Sequence, residues 1–312
     1  MRFIKLSLIL GALFHFSAAK AQNYIDLASV QYQYSLPSQF DSSADESDIT
    51  EFSFSFTLPI VLSKKTVFIT GGTINKYTLD MVPKGPSTTI STYLFKAGFN
   101  IKHSEKVTGT YLLLPKLASD FESDVNSNDF QFGALGLLKF NRKENFKYKV
   151  GLYYNPDLFG TFFVPILGLY SKTEKWEVDL TIPVSAKATY SVNQSWSLGA
   201  DFQAIVKSFN LHRAFFYNPN QMGQKPNGEY LHQATNEISA FISHEFKPGI
   251  ILKGQVGYSI GRSYRIYDNS DKIDFGISAF KFGDNRNQLN SDFTDGMVFR
   301  AQLIYRLYLD DK

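Results

Sequence analysis

Apolar and polar residues alternate one by one along much of the chain. In residues 28–36 the even positions are Ala28, Val30, Tyr32, Tyr34 and Leu36, and the odd ones are Ser29, Gln31, Gln33 and Ser35. The same rhythm runs through 51–58, with Phe52, Phe54, Phe56 and Leu58 between Glu51, Ser53, Ser55 and Thr57, and through 196–204. Near the end, Phe299, Ala301, Leu303, Tyr305 and Leu307 alternate with Arg300, Gln302 and Arg306. Side chains on a strand point to opposite faces with period two, so each segment predicts a strand with one greasy face. No stretch shows the three-and-four spacing of an amphipathic helix with comparable clarity.

Short polar turns, as at 63–65, 102–106, 141–145, 171–175, 193–195 and 246–249, alternate with longer connections at 37–48, 78–87, 118–129, 155–160, 210–232 and 268–293. Membrane barrels have this asymmetry, with short turns at one rim and long loops at the other. The count is about fourteen strands, most of the nine to thirteen residues that a tilted membrane strand requires, with twelve as the alternative. The ninth and tenth, 176–184 and 186–192, are short, and Gly71-Gly72 blurs the third. The fold class is therefore all-β, a transmembrane antiparallel up-and-down β-barrel. A large soluble all-β protein would alternate too; loop asymmetry, strand length and the aromatic character of the apolar face favour the membrane.

In hydrocarbon every backbone N–H and C=O needs an internal partner, which a closed sheet provides. The apolar face then looks outward: Val30, Phe52, Phe54, Tyr93, Phe95, Phe99, Phe132, Val178, Leu198, Phe202, Val256, Phe299 and Leu303. The expected lumen-facing polar residues are Glu51, Lys96, Lys139, Asp179, Asp201, Glu237, Lys253, Arg300 and Arg306, with Ser29, Gln31, Gln203 and Gln255 among them. Both signs of charge occur, which suits mutual pairing better than a strongly selective pore. The inward register between the fourth and eighth strands also holds Leu94, Leu112, Leu114, Leu135, Leu137 and Leu167. Two readings follow: packing beneath an inserted 268–293 loop, which is long enough and holds Phe275, Phe280 and Phe282, or a greasy path for an apolar solute.

Residues 1–21 read as a signal peptide: Arg2 and Lys5, an apolar run at 6–16, then small residues at Ala19 and Ala21, so that the mature chain begins at Gln22 and residues 22–312 form the barrel. Removing it takes three basic residues and no acid, which leaves 29 basic against 29 acidic residues and no global positive field. Nucleic acid is not an expected partner; outer-membrane lipid and, during insertion, the barrel-assembly machinery are. There is no Cys, which excludes a disulfide scaffold, a thiolate metal site and a Cys nucleophile. Aromatic residues make up 16% of the chain, enough to supply girdles at both membrane interfaces.

The run Pro165-Ile166-Leu167-Gly168-Leu169-Tyr170, then Lys175-Trp176-Glu177-Val178-Asp179-Leu180-Thr181-Ile182-Pro183 and Ser195-Trp196-Ser197-Leu198, resembles a family of exported outer-membrane β-barrel proteins of unknown function from Gram-negative bacteria. The resemblance implies a barrel and an outer-membrane address, and no substrate. Many barrels end on an aromatic residue; this chain ends Tyr308-Leu309-Asp310-Asp311-Lys312, so either Tyr308 serves from a displaced position or assembly differs.

Chemistry is sparse. No pair of His has metal-site spacing, and His212 and His232 flank a long loop. His232 with Thr235 and Glu237 is the one group from which a hydrolase could be assembled. The glycines of 254–261 lie inside a strand, where no phosphate loop forms. Asp120, Glu122, Asp124 and Asp129 make an acidic loop without EF-hand spacing. No cofactor is implied. The leading expectation is a non-enzymatic, porin-like barrel, either a passive channel or an envelope component. The alternatives are a transporter or binder of apolar solutes through a partly hydrophobic lumen, an outer-membrane lipid hydrolase, and an adhesin built on loops 210–232 and 268–293.

Overall fold

The structure, a computed structural model, describes residues 23–216 and 228–309. Residues 1–21, expected to be a signal peptide, and the expected cleavage residues Ala19, Ala21 and Gln22 lie outside the described residues, as do Asp310, Asp311 and Lys312. The strands are β1 (Asn23–Gln39), β2 (Glu46–Val61), β3 (Thr66–Asp80), β4 (Ser87–Lys102), β5 (Val107–Ser119), β6 (Phe130–Lys143), β7 (Phe146–Asp157), β8 (Gly160–Lys172), β9 (Trp176–Ile182), β10 (Ser185–Ser191), β11 (Trp196–Leu211), β12 (Glu229–Lys247), β13 (Ile250–Asp268), β14 (Phe275–Ile277), β15 (Phe280–Phe282) and β16 (Met297–Leu309). β1 to β13 and β16 pair antiparallel with their neighbours, β1 with β16 and β8 with β9, closing a barrel of fourteen strands. The twelve-strand alternative falls away. β14 and β15 form a small hairpin on the last connection, and β14 runs parallel to the far part of β8.

Alternation decides the faces. Val30, Tyr32, Phe52, Tyr93, Phe95, Leu198, Val256, Phe299, Leu303 and Tyr305 are all exposed on the outside. Their in-sequence neighbours Gln33, Glu51, Gln255 and Arg300 are buried, as is Asp201 farther along β11 from Leu198. In β8 the inward set is Phe162, Val164 and Ile166, each buried, whereas Leu167 is 64% exposed. The expectation that Leu167 faces the lumen is thereby corrected. Residues 162–169 are apolar on both faces, so alternation carried no parity there; pairing with exposed Val150 and Ile182 does.

In the third strand, a Cβ on Gly71 would lie 2.2 Å from the Phe56 carbonyl oxygen and 2.7 Å from Cε of Lys96. Glycine therefore lets the Lys96 stem cross the sheet surface. The 155–160 connection is shorter than expected: β7 reaches Asp157 and β8 begins at Gly160.

Candidate functional site

The barrel interior is built in three storeys, counted from the near end, where Asn23 of β1 pairs with Leu309 of β16. At the near end a cavity of about 180 Å³ is lined by Tyr24, Lys172, Glu177, Lys187, Lys253 and Arg306 among others. Arg306 Nε donates to Asp26 at 2.6 Å, and its guanidinium lies 3.6 Å from the centre of the Tyr24 ring. Tyr308 points into this vestibule and its hydroxyl donates to Glu245 at 2.8 Å.

The middle storey is a charge network. Arg300 Nη2 donates to Glu237 at 2.5 Å, Arg300 Nε donates to Gln33 Oε1 at 2.9 Å, and Gln33 Nε2 donates to Glu237 at 3.2 Å. β1 and β12 are separated in the sheet by β16 and β13. Three strand spacings are about 14 Å, so these side chains meet only across the concave face. Lys253 of β13 reaches over β12 to Asp201 of β11 at 2.8 Å, and Ser239 and Gln255 complete that carboxylate's shell. Lys149 of β7 likewise crosses β8 to Asp179 of β9. Lys96 donates to Thr57 at 2.6 Å, and Lys139 stands opposite Lys149 in the β6–β7 register. Glu51 is buried, directly opposite Tyr77.

The far storey is closed by the wall itself. The far ends of β11, β12 and β13 lean inward, and Ser208, Phe209, Asn210 and Leu211 are buried on successive positions, hence on both faces. Phe209 meets Tyr77 of β3 edge to face at 5.8 Å, and Lys207 bonds the Tyr77 hydroxyl. Asn210 pairs with Ser119 of β5, and Gln131 Nε2 of β6 donates to the Ser208 carbonyl at 3.1 Å. The leaning sheet thus divides two apolar clusters. One packs Leu231, Ile266 and Phe209 against Tyr77, Leu79 and Ile90. The other packs Tyr230, Tyr267 and Ile273 with Phe159, Phe162, Val164 and Ile166, and is flanked by Leu135, Leu137 and Tyr153.

Leu94, Leu112, Leu114, Leu135 and Leu137 take the inward register and are half-buried, and Leu135 and Leu137 pack against the second cluster. The 268–293 connection does pack on this wall, through Ile273 in the cluster that Leu135 and Leu137 flank, but not through Phe275, Phe280 and Phe282. Those rings are exposed, Phe280 at 71%, because β14–β15 lies on the rim of β8 and not inside.

The hydrolase group does not assemble. His232 lies within β12 and not on a loop, is 1% exposed, and neither ring nitrogen has a hydrogen-bond partner. Thr235 stands three residues away, on the opposite face, and Glu237 belongs to the Arg300 network. The residue across from His232 is Ser208, but its hydroxyl donates to Asp157. A relay needs the imidazole between hydroxyl and carboxylate. In the acidic loop, Asp129 accepts from the Asn126 amide at 2.7 Å and from Asn210 Nδ2 at 2.8 Å, with His212 Nε2 at 3.0 Å. That carboxylate caps its own turn. Among the described residues no group of acidic or His side chains has the arrangement of a metal site.

No protein-family model matches the chain and no curated protein does. Solved structures do. An outer membrane channel from Pseudomonas putida F1 is similar at 7% identity and TM-score 0.46, over 94% of this chain and 98% of that one. The translocator domain of the autotransporter NalP from Neisseria meningitidis is similar at 10% identity and TM-score 0.38, over 97% and 94%. The Pseudomonas putida toluene transporter TodX is similar at 10% identity and TM-score 0.34, over 90% and 89%.

Proposed function

We propose that this chain is a non-enzymatic outer-membrane barrel that takes up small apolar solutes. The observation that carries the reading is the leucine-lined inner wall of β4 to β6, half-buried, in a barrel whose far mouth is closed by its own leaning strands. A passive aqueous pore needs a polar, open lumen. Here the polar groups of the middle storey are spent on one another, Arg300 on Glu237 and Lys253 on Asp201.

The outer-membrane address rests on the outside of the barrel. Exposed Val, Leu, Ile, Phe and Tyr side chains surround it on every long strand. A soluble protein keeps apolar patches to a few hundred Å², and such a belt is stable only against lipid. Export through residues 1–21, and insertion by the barrel-assembly machinery, belong to the same reading.

The test is uptake of a fluorescent apolar probe, N-phenylnaphthylamine, by cells carrying the protein in an otherwise intact outer membrane. Leu135→Lys and Leu112→Lys each place a charge on the leucine wall and should abolish uptake while the barrel still assembles. Unchanged uptake in both variants would refute the reading.

A further inference from the structure

On the inner face of the short strands the charges do not balance. Lys187 of β10 stands in register between Asp179 of β9 and Asp201 of β11. Side chains opposite one another on one face of a sheet have Cβ atoms about 5 Å apart, so either carboxylate could take its ammonium. Both are engaged from farther round the barrel. Lys149 of β7 reaches over β8 to Asp179, and Lys253 of β13 reaches over β12 to Asp201 at 2.8 Å. Ser239 and Gln255 donate to Asp201 as well. Three lysines thus share two aspartates, and the positive charge left over is that of Lys187. Among the described residues no carboxylate lies within ion-pair distance of its ammonium. The ammonium lies instead over the Phe241 ring, 5.5 Å from its centre.

Lys187 lines the near-end cavity of about 180 Å³, and so do Thr189, Ser191, Ser197 and Ser243. Ser191, Ser197 and Ser243 are register partners on β10, β11 and β12, so they form a row with a spacing of about 5 Å. Among the described residues none of these four hydroxyls has a hydrogen-bond partner. The acids and the other cations of the cavity are already engaged. Glu177 accepts from the Tyr24 hydroxyl and pairs with Lys172. Glu245 accepts from the Tyr308 hydroxyl and the Gly249 amide, and Arg306 is held by Asp26. Glu174 is exposed on the turn before β9. The inner face of β10 to β12 therefore offers one unpaired ammonium beside a row of unbonded hydroxyls, all half-buried.

We propose that this patch is a binding site for a small hydroxylated monocarboxylate, its carboxylate on Lys187 and its hydroxyls on the row Ser191, Ser197 and Ser243. The charge count selects the ligand. The three lysines and two aspartates carry one positive charge in excess, which a monoanion neutralises. A dianion would overcompensate, and an uncharged polyol would leave the ammonium with the Phe241 face alone. A hydrogen bond from an ammonium to a carboxylate is about twice as strong as a neutral one, so Lys187 anchors the ligand. Serine and threonine hydroxyls both donate and accept, which suits them to a ligand that carries hydroxyls of its own. The site lies on β10 to β12 at the near end, whereas the leucine wall lies on β4 to β6. It is therefore independent of the uptake of apolar solutes.

The probe is gluconate, titrated calorimetrically into the purified protein in detergent micelles, with glucose as the uncharged control. Gluconate should bind saturably and glucose should not. Lys187→Gln should weaken gluconate binding about tenfold or more, as the loss of a hydrogen bond to a charged group does, and Lys187→Arg should retain most of it. Ser197→Ala with Ser243→Ala should weaken gluconate while leaving acetate, which has no hydroxyl, unchanged. Lys96→Gln removes the same charge from β4, where Lys96 bonds Thr57, and should bind as the wild type does. Heat-modifiable migration verifies that each variant is folded. The site is overturned if the wild type shows no saturable binding of gluconate, if glucose binds as tightly, or if either Lys187→Gln or the serine pair variant binds gluconate as the wild type does.

Discussion

Arg300 and Glu237 join strands that do not pair: β13 lies between β16 and β12, yet the guanidinium and the carboxylate meet at 2.5 Å over the concave face. Both side chains are buried. Removing one member leaves the other buried and uncompensated, at a cost of about 3–5 kcal/mol. Glu237→Gln should therefore lower the urea midpoint of the barrel in liposomes substantially. Arg300→Met combined with Glu237→Leu should recover most of the loss, since an apolar pair of similar volume avoids the desolvation penalty. Additive losses in the double variant would mean that the pair is not coupled.

Closure of the far mouth predicts electrical silence. Phe209 on Tyr77, and Lys207 on the Tyr77 hydroxyl, hold the leaning end of β11 against the opposite wall. The wild-type protein in planar bilayers should show no large steady conductance. Phe209→Ala with Lys207→Ala removes the apolar contact and the polar tie together and should produce discrete openings. Large stable steps from the wild type would show that the mouth is open.

Fourteen strands and the shortness of β9 and β10 were legible because period-two alternation is a local property of the backbone. The inward lean was not. Ser208 and Asn210 read as ordinary strand positions, and what buries them, Asp157, Gln131 and Asp129, lies fifty or more residues away in sequence. Alternation names the two faces of a strand but not what covers each. His232 shows the same limit: loop-flanking by sequence, it sits in a strand against Phe159 at 4.5 Å. Leu167 was misplaced because an all-apolar run has no phase. β14 and β15 were missed because three residues are too few to show a period.

The loop behind the hairpin carries a pH dependence. Asp284 accepts from Arg286 Nε and Nη2 at 2.8 and 2.9 Å, and Arg286 in turn donates to the Tyr230 hydroxyl and lies over the Tyr267 ring. The hydrogen bonds from Arg286 hold the Asp284 carboxyl below its ordinary value. A depressed carboxylate stabilises the fold fully above its unfolded pKa, about 3.9, and that contribution is lost as pH falls through the folded value. Amide exchange in 283–292 should accelerate only under strongly acid conditions, and Asp284→Asn should bring faster exchange already at neutral pH. Wild-type and variant exchange that coincide at neutral pH would show that the pair does not hold this loop.

Neighbouring residues on β1 test which face meets lipid. Val30 is exposed on the outside and pairs with Phe54 and Leu303, whereas Ser29 points inward, with its hydroxyl 2.9 Å from that of Ser55. A lysine on the lipid side near the bilayer midplane costs about 2–4 kcal/mol, while a lumenal position tolerates charge. Val30→Lys should destabilise the barrel in liposomes by that amount, and Ser29→Lys by much less. In a water-soluble barrel the order would invert, because an outward lysine would be solvated and an inward one would be forced among buried side chains. The sign of the difference between two adjacent positions therefore distinguishes a lipid-facing exterior from a water-facing one.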